Sequence, residues 1–254
     1  MGTYEVSEDM ITKFNASQSL QITKDTRGVN KPATNVSWNE AARFVNWLNT
    51  STGGVAAYKF TTGGVNDNIA LSSPGDAGYN SANLFRNSLA TYVLPSIDEW
   101  YKAAFYDPAS STYFNFPNGS NIAPTNVASG TAANTAVYAI QGSQADVNQA
   151  GGLSPFGIMG LGGNIFEWQE TEADLNNSSV SSDRVIRGGA FFSSSGSLSS
   201  SSRNQGDPMG VRFTTVGIRV ASLSSSAVAV PEPSSWVLSV MGLAGWWYRG
   251  RRRK

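Results

Sequence analysis

The groups able to do chemistry in this chain are oxygen- and guanidinium-bearing ones, because its 254 residues include no cysteine and no histidine. That composition excludes thiol nucleophiles, thiolate metal sites and hydrolytic triads built on imidazole. It also excludes imidazole-dependent zinc and iron sites. No disulfide framework can brace the fold. Glu167 and Glu170 lie close enough in sequence to suggest the acid/base pair of a glycoside hydrolase. Spacing alone does not set that geometry, and solvated or metal-bound carboxylates are the simpler reading. Calcium is the metal such groups would suit, since it takes carboxylate, amide and carbonyl oxygens. Trp38, Trp100 and Trp168 offer faces for a sugar, or large apolar bodies for a core. Arg187 and Arg203 suit buried carboxylates or carbonyls as partners.

These groups must be positioned by a small number of elements. Thr3 to Val6 reads as a short strand. Ser7 caps a helix whose Met10, Ile11 and Phe14 share a face. Ser37 with Glu40 and Ser96 with Glu99 are capping boxes, each ahead of apolar residues at helical spacing. The first of these helices presents Ala41, Phe44, Val45 and Leu48 and ends at Gly53-Gly54. The second presents Trp100, Ala103, Ala104 and Phe105 and stops at Asp107-Pro108. Residues 17–35, 50–93 and 109–155 read as loop. Phe156 to Trp168 is apolar and punctuated by glycine. Arg184 to Phe192 and Gly217 to Ala221 read as strands, and the serine run 193–202 between them as a surface loop.

Charged residues make up only 14% of the chain and hydrophobic residues 40%, a balance that suits a loop-rich domain of extracellular type. Of the 18 cations and 18 carboxylates, residues 231–254 carry five cations and Glu232. The body then holds 13 cations against 17 carboxylates, a net of −4, which argues against nucleic acid as a partner.

Four segments occur in a telling order. They are Val36-Ser37-Trp38-Asn39-Glu40-Ala41-Ala42, Leu94-Pro95-Ser96-Ile97-Asp98-Glu99-Trp100-Tyr101-Lys102-Ala103-Ala104, Gly162-Gly163-Asn164-Ile165-Phe166-Glu167-Trp168, and Arg184-Val185-Ile186-Arg187-Gly188-Gly189. Gly217-Ile218-Arg219-Val220-Ala221 closes the set. Together they resemble the formylglycine-generating-enzyme, or sulfatase-modifying factor, domain family over residues 3–222. The resemblance implies an α+β, C-type-lectin-like fold, loop-rich, with few helices and short strands. It places the domain at 1–222.

The resemblance also implies roles for particular residues. The family's oxidising enzymes hold copper with two cysteines after the Arg-Gly-Gly motif, and Ser193 stands at about the first of them. A hydroxyl is a poor copper(I) ligand. Related iron enzymes of the family use histidines, so neither copper nor iron is expected and no catalytic residue is assigned. The resemblance places a substrate groove at Arg203, Asn204 and Asp207, which with Ser193 are the candidate ligand contacts. It implies calcium held by the Glu167 side chain and the backbone oxygens of Gly163 and Ile165, with Asn134 at a second site. Gly160 stands where the family often has Asp or Asn. Without metal, Asn164 and Glu167 would hydrogen-bond loop backbone instead.

The C-terminus is a separate unit. Residues 223–230 form a small-residue linker, and 231–254 begin with Pro231-Glu232-Pro233. An apolar run from Trp236 to Tyr248 follows, shorter than the roughly 20 residues that span a bilayer. Arg249, Arg251, Arg252, Arg253 and Lys254 close the chain. This layout resembles the PEP-CTERM sorting signal of Gram-negative bacteria. It implies export, recognition by an exosortase, cleavage near Pro231 and transient membrane association through residues 236–254. A secretory leader is expected ahead of Met1, which leads almost directly into the domain; a truncated or misplaced start is the corresponding expectation. The resulting expectation is a non-catalytic exported domain that binds a peptide or polysaccharide, or is displayed, at the cell envelope or in the exopolysaccharide matrix. The rivals are an oxidoreductase of unrecognised chemistry and a structural matrix component without ligand.

Overall fold

Local capping explains where the helices start. In the computed structural model, which describes residues 1–61 and 69–223, α1 runs Glu8–Ser17, α2 Trp38–Ser51 and α3 Ile97–Phe105. The Ser7 hydroxyl accepts from the Met10 amide, and both capping boxes close reciprocally, Ser37 with Glu40 and Ser96 with Glu99. Each satisfies two amides that a helix start would otherwise leave unpaired. Ile11 and Phe14 are buried as expected, whereas Met10 is 46% exposed and lies off the core face.

Strands are short. In chain order they are β1 Lys59–Phe60, β2 Ile69–Ala70, β3 Tyr92–Val93, β4 Tyr106–Asp107, β5 Thr112–Tyr113 and β6 Thr125–Asn126. Then come β7 Thr135–Ala136, β8 Phe166–Glu172, β9 Arg184–Arg187, β10 Asn204–Asp207, β11 Val216–Gly217 and β12 Ala221–Ser222. The largest sheet has the order β10-β9-β8-β11. Its β8–β9 and β9–β10 pairs are antiparallel, and β11 runs parallel to β8. Both faces of β8 are covered, so six of its seven residues are buried.

Three expectations need correction. Thr3–Val6 forms no ladder strand; it is tied to the C-terminal end of the domain by Gly2 N–H to Val220 O and Val6 N–H to Ile218 O. The strand from Arg184 stops at Arg187, because Gly188 and Gly189 take φ of 100° and 79° and turn the chain. The Gly217–Ala221 strand is two pieces, β11 on β8 and β12 on β3. The serine loop is partly anchored as well. A 3-10 turn spans Ser195–Leu198, and Leu198, 1% exposed, packs with Ala136 and Tyr138.

The main core gathers Trp38, Phe44, Val45, Trp168, Ile186 and Ile218 from α2, the large sheet and the segment after β11. Trp38, Trp100 and Trp168 are at most 1% exposed, so none offers a face to a sugar. Each indole N–H is satisfied, by Gln169 O, Glu167 Oε2 and Val36 O respectively. The rest of the expected linker, from residue 224, and the expected sorting signal at 231–254 lie outside the described residues. No helix among the described residues is long and apolar enough to cross a membrane.

Candidate functional site

Two buried polar centres hang from β8, and they take its two glutamates apart. Glu167 Oε1 accepts from Arg219, whose Nη2 stands 2.6 Å away, and Oε2 accepts from Trp100 Nε1 at 2.6 Å. Glu170 is claimed by three other donors. Tyr58 Oη and Arg86 Nε donate to Oε2 at 2.7 and 2.9 Å, and Asn83 Nδ2 donates to Oε1 at 2.6 Å. Both carboxylates are 0% exposed. They do not face one another across a cleft, and their lone pairs are engaged, so a glycosidase-type pair is absent here.

The first centre draws in the N-terminus. Glu5, 1% exposed, accepts from Asn164 Nδ2 at 2.9 Å through Oε1, while Oε2 has no hydrogen-bond partner. Asn164 uses its Oδ1 to accept the Ala145 amide at 2.8 Å, so one side chain staples two loops. Its φ of 61° and the neighbouring Gly163 φ of 94° set this turn. Burial pushes the Glu5 carboxyl up to about 7, with Arg219 pulling the other way. The folded state therefore holds this proton more tightly than the unfolded chain does. The associated stability is complete below the ordinary value of 4.5 and is lost as pH rises through about 7. The melting temperature should fall between about pH 4.5 and pH 7, with about 3 kcal/mol at stake, and level off above that. Glu5→Gln should flatten that limb in thermal melts, and an identical slope in the variant would remove Glu5 as its source.

The candidate calcium ligands do not assemble into a cation site. Glu167 has both oxygens committed to N–H donors, one set carried by a guanidinium. A divalent ion at that carboxylate would face the Arg219 charge directly. Gly163 and Ile165 lie in the turn entering β8, and the Gly163 N–H donates to Gly188 O. Asn134, at the loop end before β7, is exposed, and its Oδ1 is met by Asn118 Nδ2 at 3.4 Å. Among the described residues no three carboxylates group together. The residues present therefore do not fit calcium, and the Asn164 part of the metal-free alternative matches the Asn164–Ala145 bond.

The candidate ligand contacts fall in different settings. Ser193 is buried, with its Oγ accepting the Ala190 amide at 2.9 Å and its carbonyl accepting from Ala139. That hydroxyl closes a turn and is not presented to solvent. Arg203 is exposed, directly before β10. Asn204 and Asp207 are the ends of β10, paired with Ile186 and Arg184 of β9. Around Ser193, the surface is made by Phe192, 54% exposed, and by Ser194 and Ser201. Arg187 follows the expected role, since its Nη2 donates to Ser200 O at 3.0 Å beneath this loop. Its guanidinium also stands 5.2 Å from the Trp100 ring centre.

The residues that sequence reasoning passed over are Glu5, Arg219 and Arg184. Arg184 is fully buried, sandwiched between Trp38 and Phe85 at 4.4 and 4.1 Å, and burial lowers it to about 10. Arg219 stands in a recognisable motif, but only the fold shows what it grips.

Comparison with known proteins agrees with this architecture. The structure resembles Treponema denticola variable protein 1, with a TM-score of 0.58, 20% identity, and coverage of 86% of this chain and 82% of that one. It also resembles the crystal structure of CarF, with a TM-score of 0.54, 20% identity, and coverage of 87% and 85%. At these identities the likeness is one of fold. No curated protein sequence matches the chain. Residues 3–223 match the family model of the sulfatase-modifying factor enzyme 1-like domain, and the chain belongs to that family.

Proposed function

We propose that this is a non-catalytic member of its family, exported and acting by binding or display at the envelope or in the exopolysaccharide matrix of a Gram-negative bacterium. The observation that carries the reading is Ser193. At about the position where the family's oxidising enzymes hold copper, the chain has a hydroxyl buried in a turn, accepting a backbone amide. With no cysteine or histidine elsewhere in the sequence, neither of the family's ligand sets for copper or iron can be built. What the same loop does present outward is Phe192, Arg203 and serine hydroxyls, a surface suited to contact with a peptide or polysaccharide. Export rests on the tail beginning at Pro231, which would deliver the domain to an exosortase.

The test is direct. Purified protein incubated with a cysteine-containing peptide, oxygen and added copper or iron should convert no thiol to aldehyde above the metal-only blank. Turnover that depends on the protein would sink the reading and establish an oxidase with ligands of another kind.

A further inference from the structure

The centre where the family resemblance expects calcium is organised around a guanidinium. Arg219 is fully buried, and its donors are spread over three parts of the chain. Nε reaches Glu167 Oε1 at 2.8 Å, Nη2 reaches Met159 O at 2.7 Å, and Nη1 reaches Gly2 O at 3.0 Å. Gly160, where an oxygen-bearing side chain would otherwise project, has given up that space. A Cβ there would stand 2.7 Å from Glu5 Oε1. Calcium needs six to eight oxygens at about 2.3–2.6 Å. The two carboxylates here bring four oxygens, and three of them already accept from N–H groups. Making room for the ion would mean displacing a buried guanidinium from its carboxylate partner, which leaves an uncompensated charge in a dry interior.

We propose that Arg219 is the resident cation of this centre, taking the bracing role of a metal and clasping the N-terminal segment and the Met159 turn onto β8. The domain is then held without calcium. The clasp joins residues that are remote in sequence. Gly2 and Arg219 lie 217 positions apart, and Glu5 and Asn164 lie 159 apart. Loss of the cation should release the N-terminal segment as well as weaken β8.

The experiment uses the full chain, melted in chelator and in calcium at about 10 mM, roughly ten times the dissociation constant of the weakest extracellular sites. The wild-type melting temperature should change by less than about 1 °C between the two. Arg219→Met should melt roughly 10 °C lower. It should also gain a calcium-dependent rise, because Glu5 and Glu167 are left without a cation. A wild-type rise above about 3 °C with calcium, or calcium retained one-to-one through dialysis, would overturn the proposal. So would an Arg219→Met variant that melts with the wild type. Should that variant fail to fold, the wild-type arm decides alone, supported by terbium luminescence, which should show no saturable site.

Discussion

Gly163→Ala should destabilise the domain by about 3–5 kcal/mol, seen as a melting temperature roughly 10 °C lower or as loss of soluble protein. Two effects add. The φ of 94° lies where an L side chain is strained, which by itself costs on the order of 1 kcal/mol. The larger effect is steric. A Cβ at this position would stand 2.2 Å from Val137 O and 2.9 Å from its carbonyl carbon. The carbonyl cannot simply retreat, because Val137 O accepts the Asn164 amide at 2.7 Å, and the Gly163 amide is itself bonded to Gly188 O at 2.7 Å. Shifting either strand of this contact moves Asn164, and with it the staple to Glu5 and Ala145. Gly53→Ala separates the two effects, because Gly53 has a φ of 83° but nothing within 4 Å of the point a Cβ would occupy. That control should lose only the strain. A Gly163→Ala variant no worse than Gly53→Ala would show that the Val137 loop yields freely, and the steric account would be wrong.

The same neighbourhood shows what a sequence can and cannot say. Helix starts were legible because a capping box is a local device. Ser37 with Glu40, and Ser96 with Glu99, are three positions apart and need no knowledge of the fold. The ordered motifs around Trp38, Trp100, Glu167 and Arg187 fixed the family for the same reason, each being short and contiguous. Glu5 was invisible because a single carboxylate in a short strand-like segment carries no local mark of burial, and its partner Asn164 comes 159 residues later. The Glu167–Arg219 pair was hidden differently. Both residues lie in recognised motifs, yet only the side-by-side placement of β8 and β11 brings them to one point. Thr3–Val6 has a strand-like composition, but whether such a segment joins a ladder depends on the edge it meets. Ser193 stands out in the sequence only by its place after the Arg-Gly-Gly motif. Its burial could not be read, because it depends on the Ala190 turn and on Leu198 anchoring a run of otherwise polar residues.

Arg86→Met should cost a comparable 3–5 kcal/mol, for reasons of charge rather than space. Arg86 lies in the long segment between α2 and α3 and is 9% exposed. Its Nε serves Glu170, Nη1 and Nη2 serve the two Glu99 oxygens at 2.7 and 2.9 Å, and Nη2 also reaches Leu94 O. A methionine of similar length keeps the apolar stem and removes the cation. Glu170 then keeps Tyr58 and Asn83 as donors but has lost its charge partner while fully buried. Tyr58 cannot make up the difference. Burial and the Glu170 charge push its hydroxyl well above the usual tyrosine range, so it stays a neutral donor. If uncompensated charge is the cause, Glu170→Gln added to Arg86→Met should recover part of the loss, a coupling of about 0.5–3 kcal/mol. Amide hydrogen exchange should locate the damage in residues 71–94, which reach β8 through Asn83 and Arg86, while the Arg219 centre keeps its protection. Simple addition of the two single losses would instead mean that Arg86 acts through Glu99 and the α3 cap, leaving Glu170 satisfied by its neutral donors.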